Sequence, residues 1–175
     1  LVTLGSVTAA LKKYPDLHII HLDAHTDLRD DYLGEKLSHA TVMRRIWERT
    51  GDQRIYQFGI RSGEKQEFEF ARAHTVLRKF DLDGLEDAAD RLRGVPVYFS
   101  LDLDILDPGV FPGTGTPEPG GLSFAGLLHA VLQLKKFNVV ACDMNELSPM
   151  CDPGGVSTAV ACKILREILL TFKGE

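Results

Sequence analysis

Leu17-His18-Ile19-Ile20-His21-Leu22-Asp23-Ala24-His25-Thr26-Asp27 is the stretch from which the fold of this chain can be read. Residues 17–22 are largely apolar, rich in β-formers and too few for a helix, which predicts a short buried strand. A D-x-H-x-D array follows. If the chain stays extended there, the two-residue period turns Asp23, His25 and Asp27 to one side and presents two carboxylates with an imidazole. That spacing suits a metal ion; the same residues could equally serve as caps and turns.

Moving outward, further strands are predicted over 55–60, 95–101 and 138–144. Between them lie helical stretches: Ser6 to Lys13 stopped by Pro15, His39 to Thr50 ended by Gly51, Glu64 to His74, and Gly84 to Arg93 closed by Gly94. Ser123 to Lys136 has Ser123 as its N-cap, and Ser157 to Phe172 carries Val160, Ile164, Leu165 and Ile168 on one face. Alternation of this kind predicts a single α/β domain over residues 1–175: a mainly parallel sheet between two layers of helices. In such sheets ligands bind beyond the carboxyl ends of the strands, so the chemistry is sought there.

A second acidic array closes the strand at 95–101, in Ser100-Leu101-Asp102-Leu103-Asp104-Ile105-Leu106-Asp107-Pro108. Extended, it would put Asp102 and Asp104 on one face and Leu103 toward the core. Two like charges at a buried strand end need a cation, either an Arg or Lys or a metal, because unpaired buried carboxylates cost several kcal/mol. Taken together, the four carboxylates of the two arrays would balance a pair of divalent ions, with His25 adding a neutral nitrogen. Oxygen donors with one imidazole and no thiolate favour manganese or magnesium over structural zinc. Two such ions lower the pKa of a bound water enough to make a nucleophile near neutral pH.

Composition narrows the remaining classes. The chain has 175 residues, 44% apolar and 26% charged, which is ordinary for a globular domain. A net charge of -5 with no basic run speaks against nucleic acid and against a membrane surface. No apolar run approaches the roughly 20 residues needed to span a bilayer, and no signal peptide is visible. Three cysteines without framework spacing suit a reducing cytoplasm. The first methionine is Met43, so the sequence is expected to be truncated at its amino side.

DAHTD at 23–27 and SLDLDILDP at 100–108 occur with FGIRSGEKQEF at 58–68, GTGTPEPGG at 113–121 and DMNELSPMCDPGGVSTAVACKILREIL at 143–169. In this order they resemble the ureohydrolase family of arginases and agmatinases, over nearly the whole chain. The resemblance implies an arginase/deacetylase-like fold, two manganese ions per subunit, a homo-oligomer, and hydrolysis of a small guanidine to urea and an amine. It implies that Asp23 and Asp102 bridge both metals, that Asp27 completes one, and that His25 and Asp104 complete the other. Catalytic roles fall to Asp27 and to His39, the proton shuttle at the mouth of the site. Glu146, with His39, would hold the guanidinium group.

Within the family the chain is most similar to agmatinases. Arginases carry an Asn just after D-x-H-x-D and a Ser-Gly-Asn stretch before the His; here these places read Leu28-Arg29-Asp30 and Glu35-Lys36-Leu37-Ser38. Agmatine, giving putrescine, is therefore the expected substrate, with another guanidinoalkanoate as the alternative. The family's upstream Gly-Gly-Asp/Glu-His motif is not in this sequence, so the chain is expected to be the C-terminal portion of a larger domain. Such a piece alone should associate through its bare sheet edge, keep about one tightly held manganese and release little urea. A non-catalytic assembly subunit is the competing class. A deacetylase-like hydrolase fits less well, since an acyl substrate gains nothing from Glu146. His18, His21, His74 and His129 are expected to be packed or helical residues, and Asp107 a turn residue.

Overall fold

The computed structural model describes residues 1–173. In chain order its strands are β1 (His18–Leu22), β2 (Ile55–Ile60), β3 (Val76–Lys79), β4 (Pro96–Asp102) and β5 (Asn138–Asn145). Its α-helices are α1 (Val2–Leu11), α2 (Val42–Thr50), α3 (Lys65–His74), α4 (Leu85–Arg91), α5 (Phe124–Gln133) and α6 (Val156–Lys173). The five strands form one sheet in the order β3-β2-β1-β4-β5, with every pairing parallel.

Strand burial follows from this order. β1 lies at the centre, and every residue of β2 is buried, as a near-continuous apolar run broken only by Gln57 suits when both faces are covered. Side-chain alternation divides the core in two. Ile20, Leu22, Phe58, Phe99 and Leu101 pack on one face with Leu85, Val131, Ile164 and Ile168 of α4, α5 and α6. Ile19, Ile55 and Tyr98 pack on the other with Val7, Ile46 and Ala71 of α1, α2 and α3. The result is a three-layer α/β domain. The chain moves from β1 to β3 in one direction and from β3 through β4 to β5 in the other, so crossovers of one hand place α2 and α3 on one face and α4 and α5 on the other.

The sequence-predicted helices and strands are present, with shifted ends. α1 begins at Val2 instead of Ser6, and the stretch from His39 opens as a 3₁₀ turn, His39–Thr41, before α2. Ser123 caps α5 by accepting the Gly126 amide at 3.1 Å. On α6, Leu165 does not join the apolar face; it is exposed, and Ala161 takes the inward position beside Ile164. β3 was not anticipated. Val76-Leu77-Arg78-Lys79 has only two apolar residues and ends in two cations, a pattern suited to the edge strand it forms.

The register of the central pair positions the site. His18 to Leu22 of β1 lie opposite Val97 to Leu101 of β4 without a shift. Asp23 and Asp102, next in each strand, therefore leave the sheet at one level. This is also where strand order reverses, the crevice in which open α/β sheets bind ligands.

Candidate metal centre

Neither acidic array stays extended. β1 ends at Leu22, and Asp23 Oδ1 accepts the backbone N–H of His25; β4 ends at Asp102, whose Oδ1 accepts the Asp104 amide at 3.0 Å. Each Asp thus closes a turn on the residue two places on, a conformation short acidic side chains favour. Residues Leu103–Ile105 are a 3₁₀ turn and Asp27 adopts a left-handed φ of 54°. The expected two-residue alternation is therefore not what gathers these groups. Two turns facing each other across the β1–β4 boundary do so, and Leu103 still points into the core.

The assembled geometry is compact. His25 Nδ1 lies 2.9 Å from Asp104 Oδ2 and 3.5 Å from Asp23 Oδ1, and the Ala24 amide donates to Asp104 Oδ1 at 3.1 Å. Two groups of potential ligands share Asp23: Asp23 with His25 and Asp104, and Asp23 with His21 and Asp27, each within 4.8 Å. Asp102 belongs to neither group but faces the same cavity. That cavity, about 770 Å³, is also lined by His39 and Glu146, so all seven sequence-predicted site residues meet in one place.

Crowding and burial shift the ionisation of these groups. Burial raises Asp27 and Asp102 well above the usual carboxylate range, and the charge of Asp23 raises both further. Asp104 is raised by the same two causes. Burial works against protonation of His25, but its bonds to Asp104 and Asp23 outweigh this and push it up to about 10. Burial likewise raises Asp23, yet contacts with His21 and His25 prevail and hold it well below the usual range. Buried oxygen donors crowded with imidazole and no thiolate make a donor set that hard divalent cations fit.

His39 stands at the mouth. Ser38 caps its 3₁₀ turn, accepting the Ala40 amide at 3.1 Å, and the imidazole meets the Tyr32 ring edge-on at 5.2 Å. Glu146 follows β5 with a left-handed φ of 66° and directs its carboxylate toward Gly115.

Several supporting residues were not assigned roles from sequence. Buried Glu67 accepts from the Thr26 hydroxyl, from the Leu28 amide at 3.1 Å and from the Glu64 amide at 2.8 Å, and so anchors the segment carrying Asp27. Arg61 donates to the carbonyls of Asp104 and Glu118, both at 2.8 Å, and ties the 3₁₀ turn to the 113–121 loop. Asp107, expected in a turn, accepts the amides of Gly109 at 2.9 Å and Gly120 at 2.8 Å. Arg29 also lines the cavity, where Glu64 (3.2 Å) and Glu67 (3.4 Å) hold its guanidinium. The available signal was a polar residue inside a buried run, as with Gln57 in β2. His74 and His129 do have partners, Asp52 at 2.6 Å and Gln133 at 3.1 Å, both away from the cavity. Among the described residues no helix is long and apolar enough to cross a membrane.

Comparison with known proteins matches residues 1–171 to the arginase family profile. An agmatinase of Bacillus subtilis is 46% identical over 98% of this chain and 61% of its own length. A guanidinobutyrase of Pseudomonas aeruginosa is 31% identical over 99% of this chain and 58% of its own. A crystal structure from Clostridium difficile, provisionally named an agmatinase, superposes with a TM-score of 0.95 at 50% identity, covering 97% of this chain and 63% of that one. The chain thus spans about three fifths of the relatives it matches.

Proposed function

The chain belongs to the arginase family, and from that premise we propose that it carries the metal centre of a manganese-dependent amidinohydrolase that splits agmatine into urea and putrescine. The observation that carries this reading is the meeting of Asp23, His25, Asp27, Asp102 and Asp104 in one cavity with Glu146 and His39 on its wall. Asp23, common to both compact ligand groups, suits a bridging carboxylate. Asp27 would serve one ion, His25 and Asp104 the other, and Asp102 both. When bound, two divalent ions supply positive charge and a water acidic enough to yield a nucleophile near neutral pH.

The protein's own groups supply the rest. The Glu146 carboxylate matches a planar guanidinium and would hold its carbon toward the metal ligands. As water adds to that carbon and a C–N bond breaks, the departing amine needs a proton. His39, at the mouth, can give that proton and recover it from solvent. All three cysteines are free thiols, in keeping with a reducing cytoplasm.

Charge selects among guanidines. Eight carboxylates line the cavity against Arg29, whose charge Glu64 and Glu67 already engage. Two divalent ions would offset four of the eight, leaving a negative wall that favours a dication over a zwitterion. Agmatine is a dication, whereas 4-guanidinobutyrate is a zwitterion. Urea release should be measured with agmatine, arginine and 4-guanidinobutyrate on one manganese-loaded preparation, beside Asp102→Asn. Agmatine should be preferred and Asp102→Asn inactive. Preference for arginine, turnover without metal, or a stable assembled protein that binds no manganese would overturn the proposal.

A further inference from the structure

Two imidazoles flank Asp23, and only one of them has a place in the reading above. His25 approaches from the cavity side. His21, inside β1 and 2% exposed, approaches from beneath, with Nε2 2.8 Å from Asp23 Oδ2. Position alone would let His21 serve as a ligand, since it lies in a compact group with Asp23 and Asp27.

The neighbouring strand decides the matter. Gln57 of β2 lies opposite His21 in the parallel register and is fully buried. Its Nε2 lies 2.8 Å from the Thr26 carbonyl oxygen and 3.2 Å from His21 Nδ1, while its Oε1 accepts the Thr75 hydroxyl at 3.3 Å. A carbonyl can only accept, so the amide nitrogen must face Thr26, which fixes the orientation of Gln57. The second amide hydrogen then points at His21 Nδ1, which must present its lone pair. In a neutral imidazole the proton is consequently on Nε2, directed at Asp23 Oδ2. A protonated nitrogen cannot bind a metal.

Resting on the metal centre proposed above, we infer that His21 is a positioning residue for Asp23 and not a metal ligand. Gln57 selects the tautomer, and the Nε2–H of His21 holds the plane of the carboxylate that both ligand groups share. The Thr75–Gln57–His21–Asp23 line runs entirely through buried atoms, so its bonds meet little competition from water. Supports of this kind around a ligand change metal affinity by roughly 10- to 100-fold when removed.

Two measurements on the full chain test this. Two-bond proton–nitrogen correlation spectra of the metal-free wild-type protein report the His21 tautomer; Nε2–H is expected, and Nδ1–H overturns the inference whether or not manganese binds. Manganese titrations followed by the free-ion EPR signal then compare wild type with His21→Gln, His21→Leu and Gln57→Leu. Gln at 21 can still donate to Asp23 and should bind manganese nearly as wild type does. His21→Leu and Gln57→Leu should each weaken binding about 10-fold or more without reducing the number of ions held at saturation. Loss of an ion in His21→Leu that Gln does not restore, or an unchanged affinity in Gln57→Leu, overturns the inference. A wild-type chain that binds no manganese but shows Nε2–H sinks the metal reading alone.

Discussion

Asp27 and Glu146, contributed by segments that follow different strands, both line the central cavity and both hold a left-handed backbone, at φ 54° and 66°. A side chain in that region costs about 1–2 kcal/mol relative to glycine. Strain of this kind persists where the surroundings demand it, which here aims two carboxylates into one space.

Glu146→Gly should therefore keep or slightly raise the melting temperature while weakening guanidine capture. Glu146→Gln should raise KM for agmatine about 10- to 100-fold, as for a lost charged hydrogen bond, with manganese content unchanged. Thermal melts, steady-state kinetics and elemental analysis check both; a marked fall in stability for the Gly variant would contradict the strain argument.

Stripping the metal should make stability depend on pH with a definite sign. Asp27, Asp102 and Asp104 are raised above an ordinary value of 3.8, and His25 is raised from 6.5 to about 10. The folded form thus binds more protons than the unfolded one, and these contributions fade as pH rises through the folded values. Asp23 is shifted the other way, but its effect is confined below 3.8. The chelated protein should lose thermal stability as pH climbs from about 5 to 9, and manganese should flatten that slope. Melting curves across this range, with and without chelator, decide it.

Two glycine-to-alanine changes should act in opposite directions. A Cβ at Gly121 would sit 2.5 Å from the Ile105 carbonyl oxygen and 2.6 Å from the Asp107 nitrogen, whereas one at Gly5 in α1 meets nothing within 4 Å. Gly121→Ala should cost about 1–3 kcal/mol. Gly5→Ala should gain about 0.5–1 kcal/mol. Denaturant titration compares them directly.

His39→Asn should lower kcat by about 10²- to 10⁴-fold and leave manganese content intact, because His39 is exposed and belongs to neither compact ligand group. Rapid kinetics with added small imidazoles would test the proton role further; undiminished kcat in the variant would remove His39 from the mechanism.

Layer order, parallel pairing and most elements were legible because β1, β2 and β4 are near-continuous apolar runs and the helices between them carry clear stops. β3 was hidden because an edge strand with Arg78 and Lys79 has no such run. The residues that line the candidate site were legible from composition and from the motifs they share with a known family, but the reason they converge was not. Alternation along an extended chain was the natural expectation for Asp23 to Asp27, and the structure replaces it with turns closed by Asp23 and Asp102. Gln57, Glu67 and Arg61 escaped because the bonds that give them roles, to Thr26, Leu28 and Glu118, reach 31, 39 and 57 residues along the chain, which local spacing cannot encode.

The unshifted pairing of β1 with β4 makes the site sensitive to chain length as well as to side-chain identity. One residue added or removed within either strand would displace its terminal aspartate by about 3.3 Å and turn it to the opposite face. Leu22 or Leu101, the core neighbour of the displaced aspartate, would be turned onto the opposite helix layer by the same step. A one-residue insertion should therefore be tolerated in a loop such as the exposed 33–37 segment, where neither count nor phase is being kept, and not within β1 or β4.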